Sequence, residues 1–169
     1  IFTWLFANVL LIGMVSTQYA QNIDFSIYLA SGDEVYSRSY AVTDKKGNIF
    51  VVGATRYGLR VTADAYQKNY KGNDSPMGGD LFLMKLSPAG ELLYSSYIGG
   101  SGTEYLARNI ALDSSGNLYI ACSSYSKDLR VSKKGYQIKL KGKRDYYIIK
   151  FDNDGKYLAA TYLGGSGDE

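Results

Sequence analysis

An internal repeat is the feature of this sequence that most constrains its fold. Residues 96–104 (SYIGGSGTE) recur as residues 161–169 (TYLGGSGDE), and a weaker version occupies residues 27–34. The copies are 65 to 70 residues apart. A period of this length is typical of architectures that stack one structural unit repeatedly, so the chain is expected to form a series of similar modules.

Three further segments recur in the same phase and order. The pairs are residues 44–51 and 113–120, residues 59–67 and 129–137, and residues 80–86 and 145–151. We therefore expect two repeats, at residues 21–104 and 105–169, with the second ending on the first residues of a third.

Each repeat contains four short apolar runs, separated by Gly, Asn and Asp. The runs are residues 36–42, 49–54, 81–86 and 92–97 in the first repeat, and 105–112, 118–122, 146–151 and 157–162 in the second. They are too short for stable helices and rich in Val, Ile, Phe and Tyr, which favours β-strands. The 19 glycines against two prolines agree with an all-β chain of short strands and tight turns.

Two of the runs, 49–52 and 146–149, are continuously apolar, which predicts strands covered on both faces. Four antiparallel strands per repeat, covered on both sides by neighbouring repeats, describe the blade of a β-propeller. A β-sandwich is the structural alternative, but it would not explain one unit copied in register.

These motifs resemble the bacterial β-propeller repeat family abbreviated SBBP, over residues 24–169. The resemblance lies in a Tyr-Leu-Gly-Gly-Ser-Gly-Asp-Asp/Glu opening, then Asp-x-x-Gly-Asn-x-Tyr-Val, Gly-Ala-Tyr-Gln and Asp-x-Phe-Val-x-Lys-Leu. Residues 59–61 and 129–131 read Leu-Arg-Val where the family has Phe-Pro-Val, and Ala30 and Ser31 replace the paired glycines in the first unit. The resemblance implies an exported or surface protein of bacteria, with no agreed activity.

Two blades do not complete a propeller, which closes with about four to eight. An incomplete propeller leaves apolar blade faces in water, which is unfavourable. We therefore expect the natural protein to be longer or to assemble with copies of itself, so that further blades or surface proteins are its partners.

The N-terminal segment is typical of a secretory signal peptide. Residues 1–15 are almost all apolar and residues 16–20 are polar or small, which places signal peptide cleavage after Ala20 or Gln21. The apolar run is shorter than the roughly 18 residues of a membrane-spanning helix, so no stable membrane span is expected. The signal peptide, residues 1–20, begins without Met or a basic region, and we expect it to be truncated.

Composition excludes most familiar catalytic sites. The chain has no histidine and one cysteine, Cys122, which removes His-based nucleophilic pairs, His-ligated zinc and intrachain disulfides. Residues 44–48, 113–117 and 152–155 resemble parts of calcium loops but lack the closing Glu or Asp, and they are interpreted as turns. We predict no catalytic, cofactor-binding or metal-binding residue and no cofactor.

Two other motifs are given structural interpretations. Residues 99–102 (GGSG) lack the Lys-Ser/Thr and the helix of a phosphate-binding loop, so they are interpreted as a close crossing between repeats. Cys122 aligns with Gly53 and is interpreted as a small residue in a covered strand.

The long connections between the second and third strands are the most informative polar segments. Residues 55–79 carry a net charge of +2 and residues 123–144 carry +7, so the rest of the chain carries −6. If both connections lie at one rim, that rim would attract acidic glycans; a merely solubilising loop is the alternative. Tyr57, Tyr70 and Tyr125 are candidates for stacking on sugars, whereas Tyr66 and Tyr136 recur in register and are interpreted as loop anchors.

The sequence thus favours a non-catalytic, secreted or cell-surface scaffold for protein or glycan interaction and adhesion in a bacterium. The alternative is part of a secreted propeller hydrolase or lyase whose catalytic residues lie in other blades. Nucleic-acid binding is not expected of an exported protein.

Overall fold

The computed structural model describes residues 35–73 and 79–168, and this part of the chain is entirely β-structure and loops. The eight strands are β1 (Val35–Thr43), β2 (Ile49–Thr55), β3 (Asp80–Leu86), β4 (Leu92–Ile98), β5 (Glu104–Leu112), β6 (Leu118–Ser124), β7 (Asp145–Phe151) and β8 (Tyr157–Leu163). All eight predicted strands are confirmed, each within two residues at either end. A search of the described residues finds no helix long and apolar enough to cross a membrane. The predicted signal peptide lies outside the described residues.

The strands form two antiparallel sheets of four, in the orders β1-β2-β3-β4 and β5-β6-β7-β8. Each strand pairs with its neighbours in sequence, and the second repeat reproduces the strand pairing of the first. The irregularity between Tyr36 and Ser39 in β1 returns between Leu106 and Asn109 in β5. Each sheet is therefore a four-stranded blade, the first built from strands within residues 35–98 and the second from strands within residues 104–163.

Three of the four turns that join adjacent strands are built from Asp, Asn and Gly, as predicted, and the turn between β3 and β4 has Ser87 in place of the aspartate. The Asp113 carboxylate accepts hydrogen bonds from the backbone N–H groups of Ser115 and Asn117, at 3.0 and 2.9 Å. Asn117 also donates its side-chain amide to this carboxylate, and that bond contributes most to lowering the Asp113 pKa to about 2. Gly116 has a φ of 81°, a left-handed conformation that glycine adopts without strain. The same arrangement occurs at Asp44.

The two blades pack face to face around one apolar core. The first blade contributes Phe50, Val52, Leu81, Leu83, Tyr94 and Ile98, and the second contributes Leu118, Ile120, Cys122, Tyr147, Ile149 and Phe151. A second buried cluster lies on the other face of the first blade, formed by Ile49, Val51, Phe82, Met84, Leu86 and Tyr97. Strands β2 and β3 are consequently buried along their whole length, which confirms the prediction for residues 49–52.

The same prediction was wrong for residues 146–149. Burial alternates along β7, because Tyr147 and Ile149 face the first blade whereas Tyr146 is exposed and Ile148 half-buried on the opposite face. A continuously apolar run indicates only that a strand can be covered on both faces. In the described part of the chain, the second blade is fully covered on one face.

The long connections return along the outermost strand of each blade. In the first blade the Thr62 backbone N–H donates to the Ser95 carbonyl in β4, at 3.0 Å. In the second blade the Ser132 N–H donates in the same way to the Ala160 carbonyl in β8, at 2.9 Å. An exposed strand edge is a template for aggregation, so each connection both protects an edge and is fixed by it.

Candidate functional site at the upper rim

Both long connections leave their sheets at the same end, which we call the upper rim (residues 56–73, 99–103 and 125–144). The segment that links β4 to β5 joins them there. The Asn73 backbone N–H donates to the Gly102 carbonyl at 3.3 Å, and the Ser101 N–H donates to the Asp128 carboxylate at 2.8 Å. The segment between β4 and β5 therefore contacts the long connection of each blade, and both connections lie at one rim, as the glycan hypothesis requires.

A buried glutamine–aspartate pair holds the first connection to its blade. Asp80, the first residue of β3, accepts hydrogen bonds from the Gln67 side-chain amide at 2.7 Å and from the Lys71 backbone N–H at 2.9 Å. The Gln67 side-chain oxygen accepts from the Gly99 N–H at 3.0 Å, just beyond the end of β4. One side chain thus joins three segments that meet at the upper rim.

The second blade repeats this arrangement. Gln137 donates its side-chain amide to Asp145 at 2.5 Å and accepts from the Gly164 N–H at 3.0 Å. The Lys141 backbone N–H also donates to Asp145, at 2.9 Å. Because the same polar set recurs at the same place in each blade, its role is to fix the connections rather than to distinguish one blade from the other.

Glu104, the first residue of β5, is the most perturbed carboxyl at this end. It is fully buried. The Ser124 and Ser126 hydroxyls each donate to one of its oxygens at 2.6 Å, and the Gly100 N–H donates to the other at 3.2 Å. Burial raises the Glu104 pKa to about 7, although the three donors stabilise the anion and oppose the effect.

Raised carboxyl pKa values are typical of general acids and bases, but these carboxyls are inaccessible. Burial raises the pKa of Asp80 to about 6, and Asp80, like Glu104, has no exposed surface. Their hydrogen bonds join connections to strands and one blade to the next. The arrangement therefore supports a structural role for both groups.

The glycines of residues 99–102 are required by close approach, as predicted. A Cβ at Gly99 would overlap the Asp80 carboxylate. A Cβ at Gly102 would lie 2.8 Å from the Ser126 backbone nitrogen, and real Cβ contacts are longer than this. The segment is a tight crossing between blades.

Cys122 is buried in the core between the blades, as expected for a small residue in a covered strand. Burial raises the pKa of its thiol, and the nearby Glu104 carboxylate adds to the effect. The aligned Gly53 has no room for a side chain, since a Cβ there would lie 2.6 Å from the Phe82 ring.

The exposed positive charge at the upper rim belongs mainly to the second blade. Four exposed lysines cluster near the start of β7 and beside the linker; these are Lys127, Lys139, Lys141 and Lys143, which we call the basic rim. The ion pairs identified among the described residues are Lys85–Asp154, Arg144–Asp168 and Lys150–Asp113, and none includes a basic-rim lysine. Lys134 belongs to the same connection but lies apart from this cluster, beside Ala159 and Thr161 of β8.

The aromatic candidates separate by exposure. Tyr57 and Tyr125 are exposed at the upper rim, and the Arg144 guanidinium lies 5.8 Å from the Tyr125 ring. The Tyr70 ring instead packs edge-on against Tyr97 at 6.2 Å, and its hydroxyl donates to the Asn73 carbonyl. The Tyr70 ring is half-buried, so it offers less surface to a sugar than the exposed rings of Tyr57 and Tyr125, and its stacking on sugars stays a prediction.

The two predicted loop anchors behave differently. Tyr66 packs against the second blade, stacking on Tyr157 at 5.7 Å and meeting the edge of Phe151 at 5.4 Å. Tyr136, its equivalent in the second repeat, is 85% exposed. The prediction for Tyr136 was wrong because such a tyrosine packs onto the following blade rather than onto its own loop.

The opposite end, which we call the lower rim, carries the turns that resemble calcium loops. Their carboxylates are occupied by turn hydrogen bonds, and among the described residues no group of three or more acidic or cysteine side chains is placed to hold a metal ion. A cleft of about 470 Å³ lies between the turns at Asp44 and Asp113, bordered by Asn153. Within this cleft the Asn153 amide donates to Asp44 and to the Gly116 carbonyl, both at 3.2 Å.

Sequence reasoning did not identify the buried polar sets. Gln67 and Asp80 recur as Gln137 and Asp145, so the signal was present in the repeated segments. A repeated polar residue indicates a shared role, but its partner is known only once the connection has been folded back against the sheet.

Comparison with protein families supports the architecture. A family model described as "SBBP: Beta-propeller repeat" matches residues 93–130, which run from β4 through β5 and β6 into the second connection. A search of curated proteins found no match. Together with the two four-stranded antiparallel blades packed face to face, this match agrees with an incomplete β-propeller in which residues 93–130 are similar to the SBBP repeat.

Proposed function

We propose that this protein is a non-catalytic β-propeller scaffold that binds acidic glycans through the basic rim and acts in interaction or adhesion at the bacterial cell surface. The observation that carries the proposal is the position of Lys127, Lys139, Lys141 and Lys143. They are exposed together at one end of the structure, and the part of the chain outside the two long connections carries a net negative charge. Clustered charge of one sign attracts partners of the opposite sign.

The scaffold fixes this surface in place. Lys139 and Lys141 lie in a segment tied to Asp145, since the Lys139 carbonyl accepts from Gln137 at 2.8 Å and the Lys141 N–H donates to Asp145. Backbone bonds to a buried carboxylate restrain the loop before any ligand binds. A binding surface that is already ordered loses less entropy on association.

Tyr125 adds an apolar surface beside these charges. It is 39% exposed, and its ring meets the edge of Tyr105 at 6.0 Å. A supported aromatic ring beside cations suits a sugar that carries carboxylate or sulfate groups, because the ring contacts the apolar face of the sugar while lysines contact the anion.

Binding of heparin, a soluble acidic polysaccharide, tests the proposal by titration calorimetry at low salt. Lys139→Gln, Lys141→Gln and Lys143→Gln together are expected to weaken binding about 10-fold, from three exposed ion pairs. The matched control removes three exposed lysines at the lower rim, with Lys45→Gln, Lys46→Gln and Lys156→Gln, and is expected to leave binding unchanged.

Salt and a neutral glycan complete the test. Binding is expected to disappear in 0.5 M NaCl, where the Debye length falls to roughly 4 Å, and dextran is expected not to bind. Equal weakening by the two triple variants, or binding that persists in high salt, would contradict the proposal. Surface location is tested separately by protease treatment of intact cells, which is expected to degrade the protein.

A further inference from the structure

A cleft of about 450 Å³ lies where the connection of the first blade meets the second blade, and we call it the junction cleft. It is lined by Asp64 and Tyr66 from the first blade, and by Arg130 and residues 154–157 from the second. Pockets that bind small molecules commonly enclose about 300–1,000 Å³. The junction cleft is therefore large enough for a small ligand, and both blades are needed to form it.

Arg130 is held against two tyrosine rings in this cleft. Its guanidinium lies 4.0 Å from the centroid of the Tyr157 ring and 5.9 Å from that of Tyr66, and these two rings stack on each other. The Tyr157 hydroxyl shares a hydrogen bond with the Ser132 hydroxyl at 3.2 Å. The Arg130 carbonyl accepts a hydrogen bond from the Tyr147 hydroxyl at 2.6 Å. The backbone and the head group of Arg130 are thus both positioned before any ligand binds.

The polar edge of this guanidinium is available to a ligand. Arg130 is exposed, and within residues 35–73 and 79–168 it takes part in no ion pair and its side chain makes no hydrogen bond. A guanidinium that stacks on an aromatic ring keeps the N–H donors at its edge, and their fork matches the two oxygens of a carboxylate. Arg130 therefore offers a preformed site for one carboxylate.

The other charges of the junction cleft favour a ligand with a single carboxylate and several hydroxyl groups. Lys156 adds a second cation, whereas Asp64 and Asp154 add two anions. Asp154 also lies 3.7 Å from the Lys85 ammonium, but its side chain is 92% exposed. Balanced charge gives a polyanion no overall attraction, whereas aspartate oxygens accept hydrogen bonds from hydroxyl groups. A uronic acid, which is a sugar with one carboxylate and several hydroxyls, fits this pattern.

The first blade carries the same arginine without the ring pair. Arg60 is the equivalent of Arg130 in the repeated Leu-Arg-Val segment, and it is likewise exposed. The equivalent of Tyr157 is Leu92, and no ring contact of Arg60 is found in the part of the chain that the structure describes. Arg60 is therefore a matched comparison for Arg130, with the same local sequence but without the aromatic support.

We propose that the junction cleft binds a uronic acid, with the Arg130 guanidinium donating to the carboxylate and Asp64 accepting from sugar hydroxyls. A bound sugar contacts both blades, because these two residues come from different ones. The lysines of the basic rim do not line the junction cleft, so this site is separate from the one proposed above.

Nuclear magnetic resonance titration of the full chain with methyl glucuronide tests the proposal. Shift changes are expected to concentrate at the backbone amides of Tyr66 and Gly155. Methyl glucoside, which has a hydroxymethyl group in place of the carboxylate, is expected to bind about 10-fold more weakly. Arg130→Gln is expected to weaken glucuronide binding about 10-fold, because the carboxylate loses its charged donor. Arg60→Gln is expected to leave binding unchanged.

A second variant tests the aromatic support. Tyr157→Leu copies the residue of the first blade and keeps Arg130, and it is expected to weaken glucuronide binding about 3-fold through the lost cation–π attraction. Circular dichroism establishes that each variant is folded. Equal affinity for glucuronide and glucoside, shift changes away from the junction cleft, or equal effects of Arg130→Gln and Arg60→Gln would overturn the proposal.

Two further measurements separate this proposal from its rivals. N-acetylglycine presents a carboxylate without a sugar, and tighter binding of this probe than of the glucuronide would overturn the assignment to a uronic acid. The triple variant of the basic rim is expected to bind the glucuronide as the wild type does. Loss of heparin binding with glucuronide binding retained would refute only the basic-rim proposal, and the reverse would refute only this one.

Discussion

The buried carboxyl of Glu104 makes the stability of this protein depend on pH in an unusual direction. Its pKa is about 7 in the folded chain, against an ordinary value of 4.5. The folded state therefore holds a proton that the unfolded state has lost between these two values. The stabilising contribution of the Glu104 carboxyl is fully present below about pH 4.5, and it is lost as the pH rises through about 7.

The size of the effect follows from the two pKa values. A carboxyl that titrates near 7 when folded and near 4.5 when unfolded lowers the free energy of unfolding by about 3 kcal/mol between pH 4.5 and pH 7.5. Glu104→Gln removes this titration. It keeps an acceptor for the Gly100 N–H, and the Ser124 and Ser126 hydroxyls can rotate to accept from the new amide.

Urea denaturation followed by far-ultraviolet circular dichroism, at half-unit steps from pH 4.5 to 7.5, measures the difference between wild type and variant. The wild type is expected to lose about 3 kcal/mol more than the variant over this range. Asp80 titrates in both proteins and cancels in the comparison. Glu91→Gln, at an exposed turn, controls for the loss of one carboxyl. If Glu104→Gln and wild type show the same pH dependence, the argument from burial is refuted.

Three further predictions concern the upper rim and the core between the blades. Gly99→Ala is expected to destabilise the protein by about 3 kcal/mol or more in thermal denaturation, because the added methyl overlaps the Asp80 carboxylate; a melting temperature within 1 °C of wild type would contradict the close crossing. Gln67→Leu is expected to cost about 2 kcal/mol in urea unfolding, since the buried Asp80 carboxylate loses its side-chain donor and keeps only backbone N–H donors, and an unchanged midpoint would show that the pair is dispensable. Cys122 is expected to react with a thiol reagent only after unfolding, so that urea accelerates labelling; rapid labelling of the native protein would show that the core between the blades is open.

The fold was largely predictable because its signals are local and repeated. Short runs of Val, Ile, Phe and Tyr specify strands wherever they fall, and the turn at Asp113 needs only residues within the turn itself. The crossing at residues 99–102 was likewise predictable, because recurring glycines indicate positions where the backbone approaches its neighbours too closely for a side chain. Each of these interpretations depends on a few neighbours in sequence.

The contacts between blades were less predictable because they depend on residues far apart in sequence. Tyr66 and Tyr136 have the same sequence context, yet one packs against Phe151 and the other is exposed. Tyr70 and Tyr125 likewise share a polar connection context but differ in exposure. The basic rim was partly predictable. Its charge follows from the sequence, whereas its position beside β7 depends on how the connection folds back against the sheet.

Nuclear Overhauser effects between aromatic rings test most directly whether successive repeats pack as blades. In a sample with labelled tyrosine and phenylalanine, the Tyr66 ring protons are expected to show cross-peaks to both Phe151 and Tyr157, whose ring centroids lie 5.4 and 5.7 Å away. Cross-peaks from Tyr66 to its own repeat alone would contradict the face-to-face arrangement of the two sheets.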